Sequence, residues 1–146
     1  MAGECARVIE RASETFGWAQ AKGGKSGISL DRLTLGRAEL YRALLAGGAP
    51  AGIAPRPSTE AADIIRGHLD AAVDGLRQMN RIAHLPDALL SRSWLRFLLG
   101  ERAGAVADLD EALREARRLI GNHSYHRRDG ELAGAEAANT EAVILA

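Results

Sequence analysis

Two histidines stand three apart in His123-Ser124-Tyr125-His126. On a helix that spacing puts both rings on one face, where two imidazoles can begin a metal site. No third ligand accompanies them, since neither a cysteine nor a carboxylate cluster lies nearby in the sequence. Gly23-Gly24-Lys25-Ser26 has the end of a phosphate loop but not its beginning. The first glycine of that motif falls at Ala19, and the segment before it has the pattern of a helix, not a strand. Cys5 lies on an apolar stripe with no histidine beside it, which suits a small hydrophobe better than a nucleophile. Asp108 and Asp110 are two apart, so a helix sends them to different sides and they cannot share one substrate. His68 borders an apolar stripe and His84 lies in a turn, both structural placements.

What remains is recognition chemistry. Arg92 and Arg96 are four apart on one helix, off its Leu89/Ser93/Phe97 stripe, and Arg32 and Glu39 occupy comparable places on an earlier helix. If those helices line a groove, the set would meet an acidic or C-terminal peptide group through charge-assisted bonds. Trp94, beside them, is an interaction anchor if exposed and core or subunit contact if buried.

The elements that must position these residues are helical. The chain has 146 residues, 47% hydrophobic and 26% charged, with aromatics at 4%. Valine and aromatics are scarce while alanine and leucine abound, which disfavours strands. Lys+Arg and Asp+Glu are both 19, so zero net charge gives no pull toward nucleic acid. One cysteine excludes an intrachain disulfide and points to a reducing compartment. Glu4, Arg7 and Glu10 interrupt any leader-like apolar run, and no window nears the 18 apolar residues of a membrane span, so a cytoplasmic chain is expected.

Three-four apolar spacing predicts helices near 4–22, 29–45, 59–82, 86–99 and 101–120, with a weak sixth over 123–138. The 59–82 stripe is Ala61, Ile64, Ile65, Leu69, Ala72, Val73, Leu76 and Met79, capped by Ser58 or Thr59. The 86–99 helix is expected to bury Leu89, Leu90, Ser93, Trp94 and Phe97, with Pro86 in its first turn and Gly100 at its end. The 101–120 helix turns Asp108, Asp110, Glu111, Arg114, Glu115, Arg117 and Arg118 outward. The stretch 46–57 is a Gly/Pro/Ala loop, and Val143-Ile144-Leu145 an apolar tail without an evident partner.

The chain also repeats itself. His68-Leu69-Asp70-Ala71-Ala72-Val73 and Asp108-Leu109-Asp110-Glu111-Ala112-Leu113 share Leu-Asp-x-Ala at an offset of 40, with a weaker copy at Ile9-Glu10-Arg11-Ala12. Leu33 and Tyr41 stand eight apart, as do Leu89 and Phe97, with Asp31 and Asp87 two ahead of each leucine. Helices therefore alternate between two types, each with its own signature. In Leu98–Leu113, Gly100 marks the turn, Ala105 and Ala112 are small packing positions, and Leu109 is the large one between them.

On these residues the chain resembles a tetratricopeptide repeat, over about 4–138 and most specifically over 86–117. Gly36 serves as the small residue of the first helix of a unit, while Arg92-Ser93 stand there in the next unit, out of register. The segment 85–116 is similar to the degenerate arrays of bacterial regulatory proteins. The resemblance implies antiparallel helix pairs stacked as a right-handed superhelix of five to six helices. It also implies a noncatalytic, cofactor-free scaffold that binds a peptide or protein segment on its helical surface, with Arg32, Glu39, Arg92, Arg96 and Trp94 as candidate contacts. The chain opens on a second-type helix without its first-type partner, and such an array exposes apolar end faces, so a homodimer or larger assembly is expected. Two other readings stay open: a sensing domain holding a small molecule between the helices and the 46–57 loop, and a small helical metalloprotein using His123 and His126.

Overall fold

The computed structural model describes residues 2–47, 55–79, 83–123 and 129–144. They form six helices and no strand: α1 (Ala2–Lys22), α2 (Lys25–Ala46), α3 (Thr59–Gln78), α4 (Leu85–Leu99), α5 (Arg102–His123) and α6 (Asp129–Ile144). Each helix packs on its neighbours in sequence, and α2 also touches α4.

Local chemistry sets the boundaries. Gly23, at φ 68°, turns the chain between α1 and α2. That turn needs only two residues, so α2 begins at Lys25, four positions earlier than the apolar spacing predicts, and Lys25 and Ser26 lie in its first turn. Ser58 caps α3, its hydroxyl accepting from the Ala61 N–H at 3.3 Å. Pro86 stands in the first turn of α4. Gly100, at φ 83°, ends α4: its N–H donates to Phe97 O at 3.0 Å and the Glu101 N–H to Arg96 O at 2.8 Å, a Schellman motif. The sixth helix runs to Ile144, so Val143 and Ile144 continue a helix instead of forming a loose tail.

The core is built around α3, whose Ile65, Leu69, Ala72, Val73 and Leu76 meet Leu33 and Leu40 of α2 and Leu85, Ala88, Leu89, Leu95 and Leu98 of α4. Helices α2 and α3 approach so closely that a Cβ on Gly36 would stand 2.7 Å from Leu69 Cδ2, and one on Gly75 would overlap the Ser29 hydroxyl.

Helix α4 is rotated from its predicted orientation. Arg92 is buried and Leu90, Trp94 and Phe97 are exposed, at 45%, 39% and 60%. The cause lies on α5. Asp108, expected on the solvent face, is 3% exposed and draws the Arg92 side of α4 inward. Ile64 also departs from its stripe and faces solvent.

The internal repeat has a structural counterpart. His68 and Asp108, the first residues of the two motif copies, each meet an arginine of the preceding helix: Arg32 Nη1 lies 3.4 Å from His68 Nδ1, and Arg92 grips Asp108. Asp70 and Asp110, two residues on, each accept from the following helix, at 3.2 Å from Arg92 and at 2.7 Å from Asn139.

Candidate functional site

The polar centre of the molecule joins α4 to α5. Asp108 Oδ1 accepts from Arg92 Nη2 at 2.7 Å, and Oδ2 accepts from Arg92 Nε and Arg96 Nη1, each at 2.9 Å. Arg92 Nη1 reaches Asp70, so all three guanidinium nitrogens are bonded inside the protein. Burial opposes the Arg92 charge, but the hydrogen bonds and charge of Asp108 and then Asp70 outweigh it and hold the group above its ordinary pKa. Arg96 also donates to Gly104 O at 3.2 Å, and Ser93 Oγ to Ala105 O at 2.8 Å. This is a clamp that fixes the rotation of α4 and commits every guanidinium nitrogen of the buried Arg92 to an internal carboxylate, using three of its five N–H donors.

The other candidates lie elsewhere. The Arg32 guanidinium carbon sits 4.7 Å from the Phe16 ring centroid, tying α1 to α2. Burial, and then the nearby Arg32 charge, lower the His68 pKa against a smaller opposing pull from Glu39. Glu39 pairs with Arg42 at 2.5 Å on its own helix. Trp94 is on an exposed face, its ring edge-on to Tyr41 at 5.6 Å and 63°. The structure thus distributes Arg32, Glu39, Arg92, Arg96 and Trp94 over three environments and does not gather them in one groove.

What α1, α2 and α4 do gather is apolar. Val8, Tyr41, Leu45, Leu90, Trp94 and Phe97 are 39–60% exposed. A surface trough of about 540 Å³ between α1 and α2 is lined by Cys5, Val8, Ala38, Tyr41, Leu44 and Leu45, with Glu4, Thr34 and Arg37 at its polar positions. A smaller hollow of about 110 Å³ between α2 and α4 adds Leu90 and Trp94. Tyr41 and Arg37 line both, so the two hollows form one continuous face, and Phe97 extends it one turn beyond Trp94. The six side chains expose on the order of 500 Å² of apolar surface, at the upper end of the largest patch on an ordinary monomer. Of this face, only Trp94 was singled out from sequence as a binding residue. The available signal was α4 itself, whose apolar residues run around most of its circumference and so exceed what one buried stripe needs.

Among the described residues no three His, Cys, Asp or Glu side chains are grouped to hold a metal. The His123 side chain and all of His126 lie outside the described residues. Among the described residues no helix is long and apolar enough to cross a membrane. Comparison with protein-family models, with curated proteins and with solved structures found no match.

Proposed function

We propose that this protein is a noncatalytic interaction module, a tetratricopeptide-like scaffold that holds a protein segment on the face formed by α1, α2 and α4. The observation that carries this reading is the continuous apolar face from Val8 through Tyr41 and Trp94 to Phe97. Tyrosine, tryptophan and phenylalanine are the residues enriched where proteins meet, because they bury a large apolar area at little conformational cost. The Asp108 clamp strengthens the reading. It spends a buried ion pair on holding α4 in the one rotation that turns Leu90, Trp94 and Phe97 outward. The superhelical stack is part of the proposal, supported by the shared roles of His68 with Asp108 and of Asp70 with Asp110.

A photo-crosslinking residue at Phe97 tests it in the cells that make the protein, with Asp63, exposed on α3, as the control position. A protein adduct from position 97, absent from 63 and lost with Tyr41→Asp, is expected. Equal yields from the two positions, or no protein adduct from 97, would overturn the reading.

A further inference from the structure

The apolar face carries two charged groups, and their placement identifies an occupant. Arg37 is half-buried at the junction of the two hollows and has no carboxylate or hydrogen-bond partner among the described residues. The other closely held arginines of α2 to α5 have partners: Arg92 and Arg96 have Asp108, Arg66 has Glu101, and Arg32 has the His68 ring nitrogen and the Phe16 ring. A half-buried cation beside apolar side chains gains from an anion brought to it when the face is covered, since covering it removes the remaining water. Glu4 stands on the α1 wall of the same trough. Among the described residues its one ion pair is with Arg7 at 3.9 Å, both side chains mostly exposed, which holds it weakly.

We propose that a second copy of this chain covers the face, in a two-fold dimer in which Arg37 of each protomer meets the partner's Glu4. This rests on the reading of the face as an interaction surface and names its occupant. A two-fold interface places one patch against itself, so it must be self-complementary. A patch with one cation and one anion on opposite walls of a trough satisfies that requirement: the pair forms twice, and each of the four charges is answered once. The apolar centre, on the order of 500 Å² with Glu4, Thr34 and Arg37 at its polar positions, supplies the larger part of the footprint of about 800 Å² per partner that specific interfaces bury. Zero net charge removes the long-range repulsion that otherwise keeps identical chains apart. Helix α1 has only α2 as a neighbour among the described helices, so its trough wall is open to a partner.

The test is solution mass by light scattering on the full chain, from micromolar to hundreds of micromolar, with circular dichroism confirming that each variant is folded. The wild type is expected to reach twice 15.5 kDa as concentration rises. Phe97→Asp is expected to remain at the monomer mass. Arg37→Glu and Glu4→Arg are each expected to raise the dimer dissociation constant about tenfold or more, since each sets like charges together. The double variant is expected to return to within about threefold of wild type, because the swap rebuilds both pairs.

A wild type that stays monomeric throughout overturns the dimer, as does a dimer indifferent to Phe97→Asp. Failure of the double variant to recover overturns the Arg37–Glu4 pairing. A monomer whose Phe97 position still crosslinks to a different protein would leave the interaction reading standing and remove only the second copy as its occupant.

Discussion

Replacing Asp108 with asparagine is the sharpest test of the clamp between α4 and α5. The carboxylate is 3% exposed and Arg92 7%. Asparagine keeps one oxygen but turns an amide N–H₂ toward guanidinium N–H groups, donor against donor. Arg92 then retains Asp70, which is 3.2 Å away and whose side chain is 41% exposed, while Arg96 retains the Gly104 carbonyl. Removing one partner of a buried ion pair costs about 3–5 kcal/mol, a large part of the roughly 5–15 kcal/mol that holds a domain folded. With a urea slope of about 2 kcal/mol/M, the unfolding midpoint falls by about 2 M. Far-UV circular dichroism reads this, with wild type and variants compared in the Phe97→Asp background so that association does not contribute. The paired replacement Arg92→Met with Asp108→Leu removes both charges together and is expected within about 2 kcal/mol of wild type, since apolar groups substitute well for a buried pair. Asp70→Asn, at the exposed end of the network, costs less than about 1 kcal/mol. An Asp108→Asn variant within about 1 kcal/mol of wild type would refute the argument. So would a paired variant that loses as much as the single one.

Other perturbations follow from single contacts. Gly36→Ala forces a Cβ against Leu69 and should destabilise by about 1–3 kcal/mol despite its better helix propensity, whereas Gly67→Ala, with open space around it, should stabilise by about 0.5–1 kcal/mol; urea midpoints compare them. Ser58→Ala removes the α3 cap and should cost about 0.5–2 kcal/mol by the same measurement. His68 has a folded pKa below its unfolded value, so the unfolded chain takes up the proton more readily. Its contribution is therefore fully present above the unfolded pKa near 6.5 and lost as pH falls through that value toward the lower folded one. Stability of wild type minus that of His68→Gln, followed from pH 7.5 to 5, should decline toward acid; a flat difference would refute it.

The helices were largely legible because their signals are local. Ser58, Pro86 and Gly100 mark ends by their own chemistry, and the α3 stripe is correct at Ile65, Leu69, Ala72, Val73 and Leu76. The candidate site was less legible because it depends on a pairing between helices. Periodicity puts arginine outside and aromatics inside, and both assignments reverse once Asp108 is known to face Arg92. Nothing in the α4 sequence alone announces a carboxylate sixteen residues away. Its type makes Asp108 a solvated residue by sequence, although as the counterpart of His68 in the motif it shares a position that faces the preceding helix, half-buried at His68 and buried at Asp108. Arg37 is invisible for a related reason: its lack of a partner can be seen only when the helices around it are in place.

Helices α3 and α5 share no direct backbone packing, yet two forked ion pairs span them. Arg66 grips Glu101 at the head of α5 at 2.5 and 3.2 Å, and Arg77 grips Glu111 at 2.5 and 3.1 Å. They tie α3 to α5 directly, and their strength depends on ionic strength. Screening over about 10 Å at 0.1 M salt shortens to about 3 Å at 1 M, which slackens exposed pairs while leaving apolar contacts intact. High salt is thus expected to loosen the link between α3 and α5 while the apolar core that joins α2, α3 and α4 keeps its strength, so the two halves of the helical layer differ in their response to electrolyte.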